Sequence, residues 1–185
     1  TIVGGAGTWG AGTNWTDSAG TQSKSWGNRF AVFDGAGAVV TVAGPQAITG
    51  LQFLSDGYQL AAGAGGEIAL ANADTVFRVA DGAQATIDAP ITGAGGISLQ
   101  QDSGTLVLNG TNTYSGGTAI RAGTLVASAD ANLGNAAGGL TLANGGVLSV
   151  AGTGYSGSSR GVTLAGSGGA IAIQDATHSF GLAGS

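Results

Sequence analysis

Residues Gly104 to Leu125 read GTLVLNGTNTYSGGTAIRAGTL, and no other stretch narrows the possible folds as far. Gly104-Thr105-Leu106-Val107-Leu108 places apolar side chains at alternate positions, and the polar turn Asn109-Gly110-Thr111-Asn112-Thr113-Tyr114 follows. Gly116-Gly117-Thr118-Ala119-Ile120 and Gly123-Thr124-Leu125 then open two further short runs. Alternation with a period of two marks a half-buried strand, so Leu106, Leu108, Ile120 and Leu125 are expected to point into a core. Strands this short cannot keep an apolar face dry alone, so copies must stack on one another.

Other short alternating runs follow once the first third of the chain is passed. They group into five triplets, beginning at Val39, Glu67, Ile97, Thr124 and Val162. Each triplet takes roughly 20 to 30 residues, a solenoid period. Evenly spaced strands with turn signals also fit a sandwich or a barrel. Very short strands, small residues in the turns and a recurring Gly-x-Leu-x-Leu unit, as in Gly139-Leu140-Thr141-Leu142 and Gly161-Val162-Thr163-Leu164, favour the solenoid. The expected fold is all-β: a right-handed parallel β-helix with three short strands per rung. Five rungs at about 4.8 Å give a shaft of roughly 25 Å. Asn109-Gly110 is read as a tight turn.

Composition agrees with a packed, helix-poor chain. Glycine supplies 38 of 185 residues, roughly three times its usual share. Charged residues are only 8% and hydrophobic ones 43%, the reverse of a disordered segment. Glycine without a strict three-residue period excludes collagen. Net charge is −5, and Lys24, Arg29, Arg78, Arg121 and Arg160 are scattered along the sequence. Nucleic-acid binding needs a basic face, and none is visible. No run reaches the length of a membrane-spanning helix, and the opening residues are not expected to act as a signal peptide. Cysteine is absent, so packing and backbone hydrogen bonds must hold the domain together without disulfides.

The 104–125 segment resembles the passenger-associated repeat of bacterial autotransporter proteins. Its pattern runs close to GTLTLSGxNTYTGGTxVxxGTL, and only Val107, Asn109, Ser115 and Ile120 depart from it, mildly. The signature residues are Gly104, Thr105, Leu106, Leu108, Gly110, Asn112, Thr113, Tyr114, Gly116, Gly117, Thr118, Ile120, Gly123, Thr124 and Leu125. The resemblance implies a structural β-helix shaft that supports export and folding and carries adhesion or virulence functions. It also implies display or release at the surface of a Gram-negative bacterium and a C-terminal translocator barrel in the same precursor. A host surface protein or glycan would be the external partner. Cysteine absence suits a chain that crosses an outer membrane unfolded. Residues 1–36, with Trp9, Trp15, Trp26, Phe30 and Phe33, resemble the opening of a passenger subdomain. They are expected to form an aromatic cap or first irregular coil, with an aromatic sugar platform as the other reading. Residues 37–185 form the rungs, with the signature repeat at about 96–126. Thr177 to Ser185 lacks a closing cap, so the native chain is expected to continue past it.

Parallel β-helices also host polysaccharide lyases and hydrolases, which require two carboxyls about 5 to 10 Å apart. The acids are Asp17, Asp34, Asp56, Glu67, Asp74, Asp81, Asp88, Asp102, Asp130 and Asp175, and several sit in Asp-Gly turn dipeptides. His178 is the single histidine, with no Gly-x-Ser-x-Gly elbow to serve. One histidine, no cysteine and no calcium repeat argue against a metal site. Gly93-Ala94-Gly95-Gly96 lacks the lysine of a phosphate loop. Asn14-Trp15-Thr16 and Asn109-Gly110-Thr111 match the glycosylation sequon. No catalytic, metal or cofactor residue is assigned. A glycan-active enzyme and an ice-binding solenoid are the alternatives, the latter disfavoured by irregularly spaced threonines.

Overall fold

A computed structural model of the chain describes residues 2–3, 6–10, 12, 15–16, 23–24 and 26–183. It is a parallel β-solenoid. Two eight-stranded sheets run its length, and every described ladder in them is parallel, as the pairings of Thr75–Val79 with Gly50–Phe53 and of Thr105–Leu108 with Gln84–Ile87 illustrate. The first sheet includes Phe30–Asp34, Gly50–Phe53, Thr75–Val79, Ile97–Leu99, Thr118–Ile120, Leu140–Ala143 and Val162–Ala165. The second includes Gly7–Trp9, Val39–Val42, Tyr58–Ala62, Gln84–Ile87, Thr105–Leu108, Thr124–Ala127, Gly146–Val150 and Gly169–Ile173. A third sheet has three strands, Pro45–Ile48, Glu67–Leu70 and Ile91–Thr92.

Alternation within each strand makes the core. Leu51, Phe77, Leu99, Ile120 and Leu142 stack in register on the inner face of the first sheet. Leu60, Ile87, Leu108, Ala127 and Val150 do the same in the second. All are buried, and each large member contributes about 1.5–3 kcal/mol of burial. Aromatic side chains fill the wider early rungs: Phe33 stacks on Phe53 at 5.1 Å. Trp9 is fully buried and meets Trp26 and Phe33 edge-on. The side chain of Trp15 lies outside the described residues.

The stack is deeper than five rungs. The runs read from the sequence are strands, but Val39–Val42 and Tyr58–Ala62 are successive layers of one sheet rather than two sides of one rung. Eight strands at about 4.8 Å span roughly 34 Å. Two features hid this phase. The third-side strand Pro45–Ile48 opens on proline, which is tolerated at a strand's first position. In the signature repeat, moreover, residues 109–117 carry no strand at all. Asn109-Gly110 is not a tight hairpin turn either, since neither residue is among those with positive φ.

Candidate functional site

The signature repeat crosses the solenoid where the third sheet ends. Its Thr105–Leu108 and Thr118–Ile120 strands lie in the second and first sheets, with Leu106, Leu108 and Ile120 fully buried and Leu125 buried on the next layer. Between them, residues 109–117 run over the third side, where Ile91–Thr92 lies one layer below. Two 3-10 turns, Asp130–Leu133 and Ala136–Gly138, lie one layer above. Without a ladder, backbone groups here need other partners.

Asn112 supplies them. Its Oδ1 accepts from Ile91 N–H at 2.8 Å, and its Nδ2 donates to the Asn132 carbonyl at 2.6 Å. One amide side chain thus bridges the layers on both sides. Asn132 continues the pattern: its Nδ2 donates to the Asn109 and Gly110 carbonyls, and its Oδ1 accepts from Ser128 and Ala129 N–H. Thr118 Oγ1 donates to the Leu133 carbonyl at 3.1 Å. A hydroxyl carries one proton, so the Tyr114 hydroxyl donates to Thr118 at 2.6 Å. Tyr114 is buried, which pushes its hydroxyl well above the ordinary range.

Glycine is required where the backbones touch. Gly117 has φ of +85°, and a Cβ there would sit 2.0 Å from the Gly138 carbonyl oxygen. Gly104 and Gly110 are also buried against neighbouring carbonyls, while Gly123 turns at positive φ beneath Thr124. Gly116 packs against Gly95–Gly96. Thr105 and Thr124 face outward in register on the second sheet, and Thr113 is exposed.

Arg160 was one of five dispersed cations in the sequence, and the fold buries it almost completely. Its guanidinium forks onto Asp130 through Nε–Oδ1 at 2.9 Å and Nη2–Oδ2 at 3.0 Å. Nη1 donates to the Leu133 and Asn135 carbonyls, and Nη2 also reaches those of Asp130 and Gly134. One side chain therefore ties together four carbonyls in and after the first 3-10 turn, up to the residue that opens the second. Ser158 and Tyr155 hydroxyls donate to the same carboxylate. Burial pushes the Asp130 carboxyl up, but Arg160 and Ser158 outweigh it and hold it below the usual carboxylate range. Burial and the Asp130 charge push the Tyr155 hydroxyl up to about 12. Asn132 and Arg160 are the residues that sequence reading missed. Asn132 follows Asn112 by about one rung, a spacing that could have flagged it; nothing local marks Arg160.

Among the described residues, several turn carboxylates take donors from the neighbouring rung. Asp56 accepts from Gln84 N–H at 2.8 Å, and Asp81 from Ser103 N–H and Oγ at 2.7 and 2.8 Å. These turn carboxylates stitch one rung to the next, and the Ser103 donors hold Asp81 below its ordinary value. Asp88 takes the Gln59 and Asn109 amides. His178 Nε2 faces the Tyr155 carbonyl at 2.9 Å, and a carbonyl can only accept, so Nε2 carries the proton. No cluster of three metal-ligating side chains and no helix long and apolar enough to cross a membrane occurs among the described residues. Asp17 and the Asn14 sequon lie outside them.

The passenger-associated-transport-repeat family matches residues 99–127. The chain is also 40% identical over 139 residues to the adhesin BmaC autotransporter of Brucella suis biovar 1 (strain 1330), a span of 70% of this chain. That span is 4% of the length of the relative. No solved structure matches the chain. The matched repeat, the parallel stack that contains it and the similarity to an autotransporter together identify the chain as a repeat-bearing autotransporter passenger segment, exported through the outer membrane of a Gram-negative bacterium and displayed or released there.

Proposed function

We propose that this segment is a non-catalytic shaft that supports export and folding of its passenger and contributes to adhesion. The observation that carries the reading is the use of the signature residues. Asn112, Tyr114 and Thr118 spend their polar groups on neighbouring layers rather than on a cleft. The corner carboxylates are likewise engaged with backbone and side-chain donors of the next rung. General acid and base work needs carboxyls free to exchange protons with a substrate. In this reading Trp9, buried on the first layer of the second sheet, closes one end of the stack. The similarity to an adhesin supports attachment to host surfaces, and a C-terminal translocator barrel in the same precursor follows from the autotransporter family.

Display of the chain on a non-adherent bacterium, followed by counting of bacteria bound to cultured host cells, tests the adhesive part. Attachment above that of the undisplaying strain is expected. The purified chain should show no turnover of pectin, alginate or peptides above buffer. Turnover abolished by replacing one pair of acids would remove the non-catalytic reading.

A further inference from the structure

The five basic residues look dispersed in sequence, yet the fold aligns two of them. Arg78 faces outward on the first sheet between buried Phe77 and Val79. Gln52 lies one layer below it in register. Phe77 pairs with Leu99 and Leu99 with Ile120, so Gln100 and Arg121 follow in the next two layers. The outer column therefore reads Gln52, Arg78, Gln100, Arg121, with the backbone positions of the two arginines two layers, about 9.6 Å, apart along the shaft. At its lower end Phe30 lies against Gly50, where a Cβ would approach the ring to 2.3 Å, and is 36% exposed. The Arg78 guanidinium stands 5.8 Å from the ring centre.

Neither cation meets a buried carboxylate among the described residues. Arg78 has no ion pair among the described residues, and its Nε, itself buried, has no hydrogen-bond partner there. Arg121 donates to Ser98 Oγ at 3.1 Å and meets Asp74 at 3.6 Å, with both side chains about half exposed. Such an exposed pair is weak and open to exchange with another anion. A groove of about 290 Å³ extends past Arg121, lined among others by Asp74, Ala119, Thr141, Gly96 and Gly117.

We propose that this face of the first sheet binds a linear polyanionic glycan. The two-layer offset of the arginines along the shaft is close to a disaccharide unit, so acidic groups on alternate sugars could meet both. The amides of Gln52 and Gln100 and the hydroxyl of Thr141 suit sugar hydroxyls, and Phe30 offers a flat ring to the apolar face of a pyranose. Nucleic acid, with a charge about every 1.7 Å, demands a far denser basic face. The assignment names the ligand for the adhesive reading above and rests on it.

The test passes the whole chain over immobilised heparin, polygalacturonate and neutral dextran. Retention on at least one polyanion and none on dextran is expected, with loss as salt screens the charges; which polyanion binds tells sulfate from carboxylate. Arg78→Gln with Arg121→Gln should weaken binding about tenfold or more at an unchanged Tm. Adding Thr105→Lys and Thr124→Lys on the second sheet restores the net charge and should not restore binding. Asp74→Asn should strengthen it. Absence of retention for the unaltered chain, equal retention of the double arginine variant, or rescue by the second-sheet lysines overturns the proposal. Attachment to host cells that survives enzymatic removal of their acidic glycans also overturns it, leaving adhesion itself intact and pointing to a protein partner.

Discussion

Asn112 does with a side chain what a strand does with its backbone: it accepts from the layer below and donates to the layer above. Asn112→Ala would strand the Ile91 N–H and the Asn132 carbonyl in a buried site. At about 1–3 kcal/mol for each unsatisfied group, the loss should be several kcal/mol, visible as a lower urea midpoint with an unchanged slope. Leu108→Asp should cost a similar amount by burying a charge without a partner; an unchanged Tm would refute the inward register. Asp130 gives a pH signature. Its folded pKa lies below the ordinary value, so the stability that it adds is complete above the unfolded pKa, near 3.9, and is lost as pH falls through the folded value. The Tm of the unaltered chain should therefore fall more steeply between about pH 4 and pH 2 than that of Asp130→Asn, which starts lower. At the other extreme the raised hydroxyls of Tyr114 and Tyr155 predict stability that holds up to about pH 10 and drains above it, as the unfolded tyrosines ionise.

At the scale of elements, the strands were legible and their grouping was not. Period-two alternation located Thr105–Leu108, Thr118–Ile120, Leu140–Ala143 and most other members of the two long sheets, because one face of each is buried and the other wet. On the third side Glu67–Leu70 left such a trace, whereas Ile91–Thr92 and residues 109–117 did not. From residue 109 onward its order comes from side chains such as Asn112, Asn132 and Arg160, which reach residues one rung away, and no local pattern encodes that. The glycines of the signature were visible as turn residues, but their closeness to the next layer was not. Gly117→Ala should be costly on two counts, its positive φ and the Gly138 carbonyl in the path of the Cβ; a drop in Tm well beyond that of an exposed Gly→Ala change would show it. The edge strands differ from those inside the stack. Gly169–Ile173 pairs on one side only, and Leu164 and Leu182 near it are exposed. Amides from Ile171 to Phe180 should exchange hydrogen much faster than those from Leu106 to Ile120; equal protection in a monomeric sample would contradict this.

On the scale of the whole molecule, each layer rests on its neighbours, and stability is a sum of rungs and the seams between them. The seams are unequal. Early layers are joined by three sheets and a run of aromatic rings, whereas later ones depend on two long sheets, the Asn112–Asn132–Arg160 contacts and, last, the short parallel pair of Gly157–Ser158 with Gly181–Leu182. The register of the ladders also fixes how much polypeptide each layer consumes. Ile120 pairs with Leu142, about 22 residues further on, while the shaft grows by only about 4.8 Å. Drawn out straight, the same residues would reach roughly 75 Å. Every rung laid down on the outer side of a membrane would thus reel in some fifteen times its own height of extended chain, roughly by these spacings. Coiling of this kind is a winch with a very low gear, able to take up long stretches of slack for each small step of assembly.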